Sequence, residues 1–157
     1  EYNNCSVHLH LTAKRFYTRN IMLKSISKLK KELDKWFSLF IRLRDADDLG
    51  FVECFTCGVF KHYKSGMQCG HFQSRRYLPT RFDEINCQPQ CVACNMFKSG
   101  EQFKFHINLD AKYGEGTSIK KQQEAIQMVK FARFFYEDKI SYYKSHVDKL
   151  KKEKGIE

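Results

Sequence analysis

Between Ser25 and Asp48 the apolar positions Ile26, Leu29, Leu33, Trp36, Phe40 and Leu43 recur at spacings of three and four. That is one stripe along an α-helix of 3.6 residues per turn. Ser25 stands where a helix cap is wanted and Gly50 just past the end. The opposite face carries Lys28, Lys31, Lys35 and Arg42, which reads first as a solvated surface and second as a face toward DNA. A second stripe, Ile126, Val129, Ala132, Tyr136, Ile140, Tyr143, Val147 and Leu150, follows a cap at Thr117 or Ser118. It predicts a long C-terminal helix over 117–157, longer than ordinary globular helices. Such a helix is expected to break near Asp138, to pack on the first helix, or to supply a dimer seam.

Residues 51–116 lose this period. FVECFTCGVF reads as a hairpin with a cysteine knuckle, KSGMQCGHFQ as a turn and strand, and RFDEINCQPQC as a loop and strand. A helix is expected from Asn95, continuing through QFKFHINLDAKYG with Phe103, Ile107 and Ala111 on its inner side and Gly114 as its stop. The N-terminal segment 1–24 is less defined. Val7, Leu9 and Leu11 alternate as in a short strand, with His8 and His10 on the other face, read as exposed rather than as a metal pair. The expected fold class is α+β: an N-terminal helix over 25–50, a cysteine-stapled core over 51–116, and the long helix over 117–157.

The chain has 157 residues and a formal net charge of +10. That excess draws it toward polyanions, of which nucleic acid is the commonest. No apolar run is long enough to span a membrane. The first residue is Glu1 rather than Met, which leaves a preceding segment open. Four of the seven cysteines form two C-x-x-C pairs, Cys54 with Cys57 and Cys91 with Cys94. A tetrahedral zinc site is the preferred reading, since each loop turns both sulfurs toward one point and no βαβ pattern supports a redox pair. Reduced thiolates on zinc imply a reducing, cytoplasmic compartment. Cys5, Cys69 and Cys87 read as buried small residues.

Between the knuckles lies His71 at the end of a predicted strand, and Asn95 directly follows Cys94. A histidine can deprotonate water, and a hard divalent ion such as Mg²⁺ or Mn²⁺, held by the Asn95 oxygen, can neutralise charge on a phosphodiester. Asn86 is suited to tie the strand to its loop. Arg75, Arg76, Arg81 and Lys98 are the basic residues placed to meet DNA phosphates.

The run G-H-x₁₄-N-x₄-C-x₂-C-N resembles the HNH, or ββα-metal (His-Me finger), endonuclease motif, with Asn95 in place of the final histidine. It is similar in part to phage endonuclease VII, which also has asparagine after its second knuckle. The stretches FSLFIRLRDADDLGFVECFTCG, CGHFQSRRYLPTRFDEINCQPQCVACNMFKSG and LDAKYG resemble the lambda-type NinG (Rap) family of phage recombination proteins, over roughly residues 33–116. The resemblance implies a DNA-associated, metal-dependent endonuclease acting on branched recombination intermediates such as Holliday junctions and D-loops, in an infected or prophage-carrying bacterium. It also implies His71, Asn86 and Asn95 as catalytic residues. Paired cuts across a symmetric junction point to a homodimer. Many HNH nucleases carry an aspartate before the histidine, where Gly70 stands here. Asp83 is the preferred substitute ligand, ahead of Glu84 and Glu101. Two alternatives retain the motif: an HNH endonuclease for linear duplex DNA, and a non-catalytic zinc-dependent DNA-binding protein.

Overall fold

A computed structural model describes residues 23–156. The readings of His8, His10, Cys5 and the first strand lie outside these residues. The chain is α+β. Helix α1 (Ile26–Arg44) leads to strands β1 (Phe51–Glu53) and β2 (Phe60–His62). Strand β3 (Met67–His71), helix α2 (Leu78–Arg81) and strand β4 (Cys87–Cys91) follow. A π-helical turn (Ala93–Phe97) leads to α3 (Gln102–Tyr113), α4 (Thr117–Ala125) and α5 (Arg133–Lys154).

Helix α1 is capped by the Ser25 hydroxyl, which accepts from the Lys28 N–H at 3.3 Å. Leu29, Leu33, Phe37, Phe40, Ile41 and Leu43 are buried on one side, while Ile26 lies at the exposed end. That side packs against α5. Tyr143 of α5 sits edge-on to Phe37, with ring centroids 5.1 Å apart, and donates its hydroxyl to Glu84 at 3.1 Å. The stripe of α5 is therefore spent inside the chain, on Tyr136, Tyr143 and Val147. This side of α5 meets α1 of the same chain.

The predicted single helix over 117–157 is two helices. The break falls at 126–132 rather than near Asp138. A straight helix over that span would run roughly 61 Å at about 1.5 Å per residue. Two helices instead let α4 pack on α2 and α3 while α5 packs on α1. Ile126 and Val129, expected in the stripe, are exposed. Helix α3 also turns a different face inward: Phe105 and Leu109 are buried, whereas Phe103 and Ile107 are exposed. The inner face is chosen by Phe55 and Phe72, whose rings meet Phe105 at 4.9 and 5.7 Å.

The strands form two antiparallel pairs, β1 with β2 and β3 with β4. In the second pair Met67 faces Cys91, Cys69 faces Pro89, Gly70 faces Gln88 and His71 faces Cys87. All of β4 is buried, so this hairpin is the central layer on which both knuckles and α1 rest. Among the described residues, no helix is long and apolar enough to cross a membrane.

Candidate functional site

The two C-x-x-C knuckles close on one point. The first is a turn after β1 in which the Gly58 N–H donates to the Cys54 carbonyl at 2.9 Å. Gly58 has φ +75°, a left-handed conformation that glycine adopts without strain. The second knuckle is the end of β4 and the π-helical turn. The sulfurs of Cys54, Cys57, Cys91 and Cys94 lie within 4.8 Å of one another. Cys57 and Cys91 Sγ are 3.8 Å apart, close to the roughly 3.8 Å edge of a tetrahedron with 2.3 Å Zn–S bonds. A disulfide would need about 2.05 Å. Burial by itself would raise the Cys54 thiol. The Cys91 N–H and the Thr56 hydroxyl outweigh it and bring the thiol down to about 6. Donor type, number and spacing all fit structural Zn²⁺.

His71 ends β3. Its Nε2 lies 3.1 Å from the Arg81 carbonyl and its Nδ1 3.3 Å from the Cys69 carbonyl. Burial first, and the Arg75 guanidinium next, hold the imidazole down to about 4. It is therefore neutral near pH 7 and has one N–H to give. We assign that N–H to Nε2, which makes the shorter contact, leaving the Nδ1 lone pair free. Asn86 is fully buried. Its Oδ1 accepts from the Gln73 N–H at 2.7 Å, and its Nδ2 donates to the Gln73 and Thr80 carbonyls at 3.0 and 2.9 Å. It ties the loop leaving His71 to the start of β4.

Asn95 sits in the π-helical turn directly behind Cys94 and gives its amide N–H to Gln68 at 2.6 Å. A cleft of about 930 Å³ brings it together with His71, Arg75 and Arg76. Arg42, Gln68, Tyr77 and Gln102 also line it. Arg42, on the polar face of α1 in the sequence pattern, is turned to the cleft wall with its guanidinium donating to the Tyr63 carbonyl at 2.5 Å.

Three of the predicted site residues are used elsewhere. Both Asp83 oxygens are engaged: Oδ1 accepts from the Ile85 and Asn86 N–H groups, and Oδ2 meets Lys121 at 2.9 Å. Asp83 therefore braces the loop and does not reach the cleft. Arg81 forms a two-point ion pair with Asp34, at 2.6 and 3.0 Å, and is largely buried. It is a structural cation rather than a phosphate contact. Lys98 pairs with Glu101 at 3.1 Å, and neither borders the cleft. Glu84 is held by Tyr143.

Among the described residues lining the cleft there is no carboxylate. Mg²⁺ and Mn²⁺ prefer at least one, so these side chains alone do not fit a protein-built site for either ion. Gly70 explains part of this. A Cβ there would stand 2.0 Å from Oε1 of the buried Gln90. The position of the expected aspartate is filled from the neighbouring strand.

The family model described as "NinG: Bacteriophage Lambda NinG protein" matches residues 11–153. The chain is similar to protein ninG of Escherichia phage 933W, 33% identical over 98 residues, which cover 62% of this chain and 46% of that protein. It is similar to protein ninG of Escherichia phage lambda, 32% identical over 98 residues, 62% of this chain and 45% of that one. Protein ninG of Salmonella phage P22 is 33% identical over 97 residues, 61% and 45% of the two chains. The matched segment thus spans less than half of these curated relatives. No solved structure matches. The chain belongs to the NinG family of phage proteins.

Proposed function

We propose that this chain is a ββα-metal (HNH-type) DNA endonuclease that cuts branched recombination intermediates such as Holliday junctions and D-loops. The observation that carries the reading is the cleft itself. One strand end, one loop and one knuckle deliver His71, Arg75, Arg76 and Asn95 to a single concave surface. Zinc held by Cys54, Cys57, Cys91 and Cys94 keeps β4 and the Asn95 turn in place.

Arg75 and Arg76 are exposed at the rim and hold the backbone phosphates that flank the scissile bond. Neutral His71 accepts the proton of the attacking water on Nδ1. The Arg81 carbonyl fixes its tautomer, as a proton acceptor requires. Asn86 keeps the His71 loop in register with β4. The Asn95 carbonyl oxygen is the cleft's hard neutral donor. Mg²⁺ or Mn²⁺ dependence follows from the resemblance. The cleft's donors do not account for it alone, so no step is assigned to such an ion. Among the described residues only Ser38 and Arg42 of α1 and Gln102 of α3 reach the cleft from a long helix, too few for a base-reading row, in keeping with recognition of shape rather than sequence.

The test is cleavage of an end-labelled four-way junction beside a matched linear duplex, in Mg²⁺, Mn²⁺ or EDTA. Cuts confined to the junction support the reading. Equal cutting of the duplex discards the branched substrate and leaves a general HNH endonuclease.

A further inference from the structure

We propose that Cys69, His71 and Cys87 form a second metal site, distinct from the four-cysteine site. It would take a thiophilic divalent ion such as Zn²⁺ and, when filled, silence His71. The second half rests on the role given to His71 above.

Register assembles the site. Side chains two apart on a strand share a face, so Cys69 and His71 point the same way from β3. Cys87 is paired directly across from His71 on β4. One ligand atom from each lies within 4.8 Å of the others. The four-cysteine site uses the other end of β4: Cys91 is four residues from Cys87, about 13 Å along a strand. The two sites share no ligand.

Two thiolates and one imidazole are the donors that Zn²⁺, Co²⁺ and Cd²⁺ favour over Mg²⁺. On binding, the two thiol protons go to solvent, and the dithiolate neutralises the ion's charge. That balance suits a place where Cys87 is fully buried and Cys69 nearly so. Asn86 Nδ2, whose N–H groups go to the Gln73 and Thr80 carbonyls, also lies 3.8 Å from Cys87 Sγ and gives the site a polar neighbour. Cys69 and His71 both line the cleft. The ion can therefore enter from that side, and a fourth position is left for water. An ion bound at Nδ1 takes the lone pair that would otherwise accept a proton.

The test titrates Co²⁺ and Cd²⁺ into the full chain already carrying one zinc, without DNA. It counts ions per chain and follows the sulfur-to-metal absorption. Wild type is expected to reach two ions per chain, and Cys69→Ser/Cys87→Ser to stop at one while keeping the far-ultraviolet spectrum of the fold. Saturation of wild type at one ion, or a second ion persisting in the double variant, overturns the site. Should that variant not fold, His71→Ala decides. It keeps both cysteines and is expected to weaken the second ion at least about tenfold, and unchanged affinity overturns the site. Cleavage is measured separately with a second equivalent of Zn²⁺. Loss of cutting supports the silencing, and full activity with the second ion bound overturns it while leaving the metal site standing.

Discussion

Gly70→Ala adds one methyl group at the centre of the molecule, and the structure says what it meets. The new Cβ would lie 2.0 Å from Gln90 Oε1, 2.6 Å from Cδ and 2.8 Å from Cγ. Gln90 is fully buried and cannot swing into solvent. Its amide donates to the Thr56 hydroxyl at 3.2 Å and the Gly100 carbonyl at 2.8 Å. Thr56 lies within the first knuckle and Gly100 just beyond the second, so Gln90 is a polar strut between the two halves of the four-cysteine site. Overpacking costs about 1–3 kcal/mol. Displacing Gln90 breaks two bonds and strands their partners, at about 1–3 kcal/mol for each group left unsatisfied. The gain from restricting the unfolded chain, about 0.4–1 kcal/mol, does not offset this. The expected net loss is roughly 3–5 kcal/mol. The assay is urea unfolding at fixed, saturating zinc, where such a loss lowers the midpoint by roughly 1–3 M. Gln90→Ala in the same background should recover the steric part, giving a coupling of at least about 1 kcal/mol. A loss below about 1 kcal/mol for Gly70→Ala, or strict additivity with Gln90→Ala, would refute the steric explanation of the missing aspartate.

Other outcomes follow from the same contacts. Asp34→Ala leaves the Arg81 guanidinium buried without its carboxylate. It should cost roughly 1–3 kcal/mol in chemical denaturation and lower cleavage by disturbing the carbonyl that orients His71; an unaffected cleavage rate would disconnect the ion pair from the site. Chelating the structural zinc should unfold the hairpin region, seen by circular dichroism, because zinc-finger sites contribute about 10–16 kcal/mol against a typical domain stability of about 5–15 kcal/mol. Arg75→Ala and Arg76→Ala should each weaken binding to all DNA sequences alike and reduce the salt slope by about 1; a sequence-dependent loss would contradict phosphate contact. His71 stays neutral in the fold down to about pH 4, while the unfolded imidazole protonates near 6.5. The unfolded state thus gains its proton first, and stability falls as pH drops from about 6.5 toward 4. His71→Gln should flatten that part of the stability profile, and a profile unchanged by it would disprove the depressed value.

Much of the frame was legible in the sequence because it rests on local periodicity. Leu29, Leu33, Phe40 and Leu43 announce α1, and the two C-x-x-C spacings announce the four-cysteine cluster. A motif singles out His71, Asn86 and Asn95, and the structure places all three near the β3–β4 hairpin. What the sequence hid depends on partners far along the chain. Asp83, Arg81 and Lys98 looked available because nothing local shows that Lys121, Asp34 and Glu101 take them. Gly70 reads as a lost ligand in the sequence, whereas in the fold Gln90 fills the space a side chain there would need. Two apolar rows run along α3, and the choice of the inner one is made by Phe55 and Phe72. The cluster of Cys69, His71 and Cys87 needs the β3–β4 register, which no spacing in the sequence supplies.

The most direct test of the central claim is single-turnover cleavage of a four-way junction by wild type and His71→Ala, with junction binding measured on the same samples. The account predicts equal binding and a cleavage rate lower by about 10²–10⁴ in the variant, the usual contribution of a positioned acid–base group. Binding without cuts by wild type, or cuts at the same rate by His71→Ala, would contradict it.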